Sequence, residues 1–167
     1  MPEVESALPF TVDGFQQLLD RRGDPDWVVE ARREAWAAFE AMEWPSRTSE
    51  EWMRTDLRLF HLDRFQLDAG EEPPETPPSV LNQGVDVGGQ AVSWNGATHS
   101  EWVSEDLAAK GVVFCSLNRA VQEHSELVRP YLMNRAFESR YDRFAALHAA
   151  WWNSGSFLYV PLSLIHI

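Results

Sequence analysis

Cys115, His124 and His148 are the side chains best suited by type to hold a metal or attack a substrate, and their spacing serves neither purpose. A metal site needs several Cys, His or carboxylate groups converging at fixed separations, as in C-x-x-C or H-E-x-x-H, and none of the three belongs to such a pattern. A single cysteine cannot supply the four thiolates usual for an iron–sulfur cluster, nor form an intramolecular disulfide. Cys115 sits in the apolar run Val112–Cys115, which reads as a buried strand with an inert packed thiol. His124 and His148 fall on apolar helix faces, where half-buried histidines with a backbone partner are expected. Glu50 and Glu51 could suggest paired acid/base carboxylates. Adjacent helical residues point in different directions, however, and Thr48 with Glu51 fits a capping box. "GVDVGGQ" has neither a phosphate loop nor a P-loop lysine and reads as a hairpin turn, and no G-x-S-x-G elbow occurs. Trp151 and Trp152 would diverge on a helix, Trp152 into the core and Trp151 towards a partner. These residues predict no catalytic, cofactor-binding or metal site.

The elements that must position them are clearer. Thr11 caps a first helix that Gly23 stops, with Phe15, Leu18 and Leu19 on one face. Asp24 as N-cap and Pro25 at the first helical position open a second helix. Its stripe is Val28, Ala31, Ala35, Phe39 and Met42, widened by Trp36, and Pro45 closes it. A short helix from Thr48 should carry Trp52 onto the second helix. Asp68–Val80, with its prolines and glutamates, reads as an extended linker. Beyond it, Val85 and Val87, Gly88-Gly89 and Ala91–Trp94 predict a hairpin. Ser104 caps a short helix closed by Gly111. An amphipathic helix covers "SLNRAVQEHSELVRPYL", and a last one, about Arg140–Asn153, groups Tyr141, Phe144, Ala145, His148 and Trp152. Ser156–Val160 reads as a buried strand. Helices first, then strands mixed with helices, indicate an α+β class.

Composition narrows the function classes. The 167 residues are 44% hydrophobic and include eight Trp, enough for a packed core. The net charge is −12, with −10 carried by residues 1–80, so phosphate backbones and anionic membranes are repelled. No apolar run is long enough to span a membrane and the N-terminus lacks a basic leader, so a cytoplasmic location is expected.

Three stretches, in order, resemble one family. "PSRTSEEWMRTDL" fits a Pro-x-Arg-x-x-Glu-x-Trp-x-x-Thr pattern through Pro45, Arg47, Glu50, Trp52 and Thr55. "GVVFCSLNRAVQEHSELVRPYL" and "DRFAALHAAWWNSGSFLYVP" follow at matching distance. All three are similar to the SufB/SufD proteins, scaffold subunits of the machinery that builds iron–sulfur clusters, and "DPDWVVEARREAWAAFEAM" resembles the SufD branch more closely.

The resemblance implies an N-terminal helical domain at 1–67, a Pro/Glu-rich linker at 68–82 and the start of the family core at 83–161. Residues 162–167, "LSLIHI", have no family counterpart and look like a foreign or frameshifted end. It further implies that Ser156–Val160 is the first rung of a truncated right-handed parallel β-helix, an open and aggregation-prone edge. The implied role is a non-enzymatic scaffold subunit, here an N-terminal fragment, acting through protein contacts with SufB-like and SufC-like (ATPase) subunits and, through them, a sulfur donor. No cofactor is implied for the fragment, since the cluster-handling residues of the family would lie beyond it. Two other readings stay open: a free-standing acidic helical interaction module, and a minor enzyme using Cys115 with His124 or His148.

Overall fold

The computed structural model describes residues 7–67, 84–134 and 136–165. The predicted linker at 68–82 lies outside the described residues. The chain forms two compact units, each assembled from separated stretches: residues 1–70 with 126–152, and residues 71–125 with 153–167.

The first unit is helical. β1 (Leu8–Pro9) leads into α1 (Val12–Arg22), whose Thr11 cap accepts the Gly14 N–H at 3.1 Å. Gly23 ends the helix in the left-handed region at φ 57, where a side chain would be strained. α2 spans Asp26–Ala41 with Pro25 as its N-cap residue and no side-chain cap. Asp24 is therefore not the cap expected from sequence, because two arginines claim its carboxylate.

α6 (Arg143–Trp151) packs along α2 and presents Ala145, Ala146, Ala149 and Ala150, whose small side chains let two helices approach closely. Between them Trp36 stacks on Phe15 at 5.1 Å and Phe39 at 4.9 Å, while Trp151 meets Phe10 at 4.7 Å and Trp36 at 5.9 Å. Trp151 is thus core, not a partner surface, and so is Trp152. The sequence division placed α6 with the second part of the chain, whereas its alanine face gives it a core partner in α2. His148, expected on an apolar face, is exposed and meets Phe137 edge-on at 5.1 Å.

No helix forms from Thr48. Residues 47–54 are successive turns, with Trp52 N–H bonded to the Ser49 carbonyl at 3.0 Å. The capping box fails because the Thr48 hydroxyl pairs with Ser46 at 2.6 Å and Glu51 is taken by Tyr141. Trp52 consequently stacks on Phe144 of α6, at 4.9 Å and 18°, instead of on α2. Two 3-10 turns, Leu57–Leu59 and Leu62–Arg64, lead to β2 (Gln66–Leu67), which pairs antiparallel with β1.

The second unit holds the strands. β3 (Gly89–Trp94) and β4 (Ala97–Val103) form an antiparallel hairpin turning at Asn95-Gly96, with φ 46 and 76. Such values match the primed turns that suit strand twist, so the turn is Asn-Gly and not the expected Gly88-Gly89. α3 (Glu105–Ala109) follows, then β5 (Val113–Ser116). The single amphipathic helix expected next is broken: α4 (Leu117–Glu123) stops at His124 and α5 (Ser125–Val128) resumes. The Ser125 hydroxyl donates to the Val121 carbonyl, a local bond that competes with the helical ladder.

β6 (Ser156–Tyr159) pairs antiparallel with β5, Phe157 opposite Cys115. The strand expected as the first rung of a parallel β-helix therefore has an antiparallel partner within the chain. Every strand pair among the described residues is antiparallel, and the class is α+β. Of the tail, Leu162–Leu164 forms a 3-10 turn, and residues 166–167 lie outside the described residues.

Candidate functional site

Within the second unit, β3, β4, α3, β5 and β6 enclose an apolar groove of about 290 Å³, lined by Gly88, Gly89, Val103, Leu107, Val112, Phe114 and Leu158. The glycines read from sequence as a turn are here for close approach. A Cβ at Gly88 would lie 2.4 Å from Leu107 Cδ1, and one at Gly89 would lie 2.8 Å from the Trp102 carbonyl oxygen. A larger residue at Gly89 would push the β4 backbone aside, while one at Gly88 would have to turn the Leu107 side chain. β6 has no second strand partner among the described residues, and Leu158 is 62% exposed beside that free edge.

Polar groups fix the frame beneath. The Glu101 carboxylate on β4 accepts the Ser116 N–H at the start of α4 and lies 3.6 Å from Arg119 Nη1. Arg119 also pairs with Glu123 at 2.8 Å. Ser116 caps α4 by accepting the Arg119 N–H. Cys115 is buried in this frame, and its thiol is pushed above the usual range by burial first and by the Glu101 charge second. Both effects disfavour thiolate, so the group is suited neither to attack nor to metal binding.

Cys115 and His124 belong to the second unit and His148 to the first. Among the described residues no three His, Cys, Asp or Glu side chains are grouped to hold a metal ion. Nor is any described helix long and apolar enough to cross a membrane. What the groove can do chemically is bind apolar surface.

The most heavily buried polar group is one that sequence periodicity missed. Arg32 occupies the α2 stripe between Val28 and Ala35, fully buried, while Ala31 is exposed. Its Nε donates to Asp24 Oδ2 at 2.9 Å and its Nη1 to the Ala150 carbonyl at 2.8 Å. The guanidinium lies 4.1 Å over the Trp152 ring, and Arg22 adds a 3.0 Å bond to the same Asp24 oxygen. Arg32 thus caps the C-terminal end of α6, where a cation suits the helix dipole. The available signal was Asp24 eight residues upstream of a cation on an apolar stripe.

Residues 15–165 match the family described as SufBD protein N-terminal region. The chain belongs to the SufBD family. This SufBD chain is 28% identical over 182 residues to a chloroplastic iron–sulfur cluster assembly SufBD family protein of Arabidopsis thaliana, covering 95% of the chain and 32% of that relative. It is 26% identical over 150 residues to the iron–sulfur cluster assembly protein SufD of Bacillus subtilis, covering 88% of the chain and 34% of the relative. A Synechocystis SufBD family protein is 26% identical over 172 residues, covering 93% and 36%. The chain spans about a third of the length of these curated relatives.

Proposed function

We propose that this chain serves as part of a SufD-type scaffold subunit in iron–sulfur cluster assembly, acting in the cytoplasm through protein contacts and not through catalysis. The observation that carries the reading is the family match over residues 15–165, joined by similarity to the Bacillus subtilis protein named SufD. The apolar groove and the free β6 edge support it, since both offer surface for protein contact and neither carries a reactive group. On this reading β6 is where further strands of the family core add, and SufB-like and SufC-like subunits are the partners.

The test is co-expression of the tagged chain with SufB-like and SufC-like subunits from the same genome, followed by affinity purification and size-exclusion chromatography. Stoichiometric recovery of either subunit is expected. A chain that purifies alone, as a monomer, would leave it as a free-standing acidic interaction module.

A further inference from the structure

A second concave surface lies wholly within the first unit and is built from residues distant in sequence. The turns after α2 and the residues leading into α6 enclose a pocket of about 430 Å³. Its walls include Trp44, Trp52 and Tyr141, and its charged residues are Glu43, Glu51, Asp142 and Arg143. We propose that this pocket receives an arginine side chain presented by a protein partner.

Three carboxylates face one guanidinium, leaving a net charge of −2 on the lining. The guanidinium is already engaged: Arg143 lies 4.5 Å over the ring of Phe39 and 4.5 Å over that of Trp44. The carboxylates are therefore not neutralised from within by an ion pair among the described residues. Of the three, Asp142 is committed to capping α6, its Oδ1 accepting the Ala145 N–H at 2.7 Å. Glu51 accepts the Tyr141 hydroxyl, which fixes one oxygen and leaves acceptor capacity on the carboxylate. Glu43 is exposed.

The aromatic walls decide the class of ligand. Trp52 is held by its stack on Phe144, and Trp44 by edge contacts with Phe39 at 5.9 Å and Phe60 at 5.5 Å. Both indoles are half-buried; Arg143 already lies over Trp44, so Trp52 presents the rigid stacking surface, at little entropic cost. Indole surface beside carboxylates suits a planar cation, which can stack on a ring while donating to carboxylate oxygens. An anion meets net repulsion here, and an apolar side chain would desolvate Glu43 and Glu51 without return. The inference stands on this geometry alone and does not depend on the assembly role.

The test titrates the isotope-labelled full chain with Nα-acetyl-arginine methylamide and follows the indole N–H resonances by NMR. The neutral citrulline and the acidic aspartate counterparts serve as controls. Saturable shifts at Trp44 and Trp52, but not at Trp151, are expected. Binding should weaken about tenfold with citrulline, the range of a lost cation–π and charge contact. Raising the ionic strength should weaken it without any mutation, because the pocket is open to solvent. Replacing Glu43 and Glu51 together by Gln should lower affinity similarly while the melting temperature holds. Equal response to citrulline, tighter binding of aspartate, insensitivity to salt, or no shift at either pocket indole would each overturn the proposal.

Discussion

Replacing Arg32 by Met separates two opposite expectations about a buried cation. Methionine roughly fills the space but donates no hydrogen bond. The loss comprises the bond to Asp24, the bond to the Ala150 carbonyl and the contact with Trp152. Removing one partner of a buried ion pair costs about 3–5 kcal/mol, while exchanging a whole buried pair for apolar residues can be neutral or stabilising. Here Asp24 stays behind, nearly buried, but keeps its bond to Arg22. The cost should fall at the lower end, about 3 kcal/mol. Arg32→Lys retains the charge but cannot reach both acceptors as a fork does, and should cost about 1–2 kcal/mol. Burial, then repulsion from Arg22, pulls the Arg32 pKa down to about 10 against the attraction of Asp24. The folded pKa is the lower one, so the charged form carries its desolvation cost at neutral pH and sheds it only as pH rises past about 10. The difference between wild type and Arg32→Met should therefore be flat from about pH 6 to about pH 9. Urea unfolding followed by far-UV circular dichroism and tryptophan fluorescence gives the number, with an unchanged slope confirming the same transition. A variant as stable as wild type, or more stable, would show that desolvation outweighs the Asp24 and Ala150 bonds.

Gly14→Ala should destabilise by about 2–3 kcal/mol despite alanine's better helix propensity, because the added Cβ would stand 2.0 Å from the Pro9 carbonyl oxygen; thermal unfolding measures it. Trp52→Ala should cost about 1–2 kcal/mol, the value of a half-buried stack, and Phe144→Ala should add little to it in a double-mutant cycle. The Tyr141 phenol is raised above its usual pKa chiefly by donating to Glu51, so its contribution to stability is whole below the unfolded phenol pKa and lost as pH climbs through the folded one. Ultraviolet titration of phenolate should lose the Tyr141 component in Tyr141→Phe and show that component shifted down in Glu51→Ala.

Local signals were legible where one short stretch decides the outcome. Thr11 and Gly23 bound α1 as their chemistry requires, and the apolar run ending at Cys115 is a strand. Elements failed where distant residues compete. Gly88-Gly89 and Asn95-Gly96 are both turn signals, and only the packing of Leu107 and Trp102 shows that the first pair serves close approach. Thr48 and Glu51 form a plausible cap until Tyr141, ninety residues on, takes the glutamate. Arg32 is invisible to a count of apolar residues because it belongs to the stripe without being apolar. The groove and the acidic pocket share this property: each is lined from segments that sequence spacing alone does not bring together.

The same long-range closure governs how the first unit can fold. Residues 1–67 contain α1 and α2, but the core around Trp36 is completed by Trp151 and the α6 alanines. Without residues 143–152, Arg32 loses the Ala150 carbonyl and the Trp152 ring, and keeps a buried charge with Asp24 alone to satisfy it. The family resemblance implies a helical domain at 1–67, yet the contacts that bury its aromatic residues come from beyond the second unit's hairpin. A protease site engineered within residues 68–83 tests which view holds. Cleavage there should leave the two pieces associated in native size-exclusion chromatography, separating only in denaturant, because α2 and α6 remain packed. Residues 1–67 expressed alone should show exposed tryptophan fluorescence and no cooperative melt. A folded, monomeric 1–67 fragment would mean that α1 and α2 bury their aromatic face without α6, and the pairing of α2 with α6 would then be a docking of finished parts.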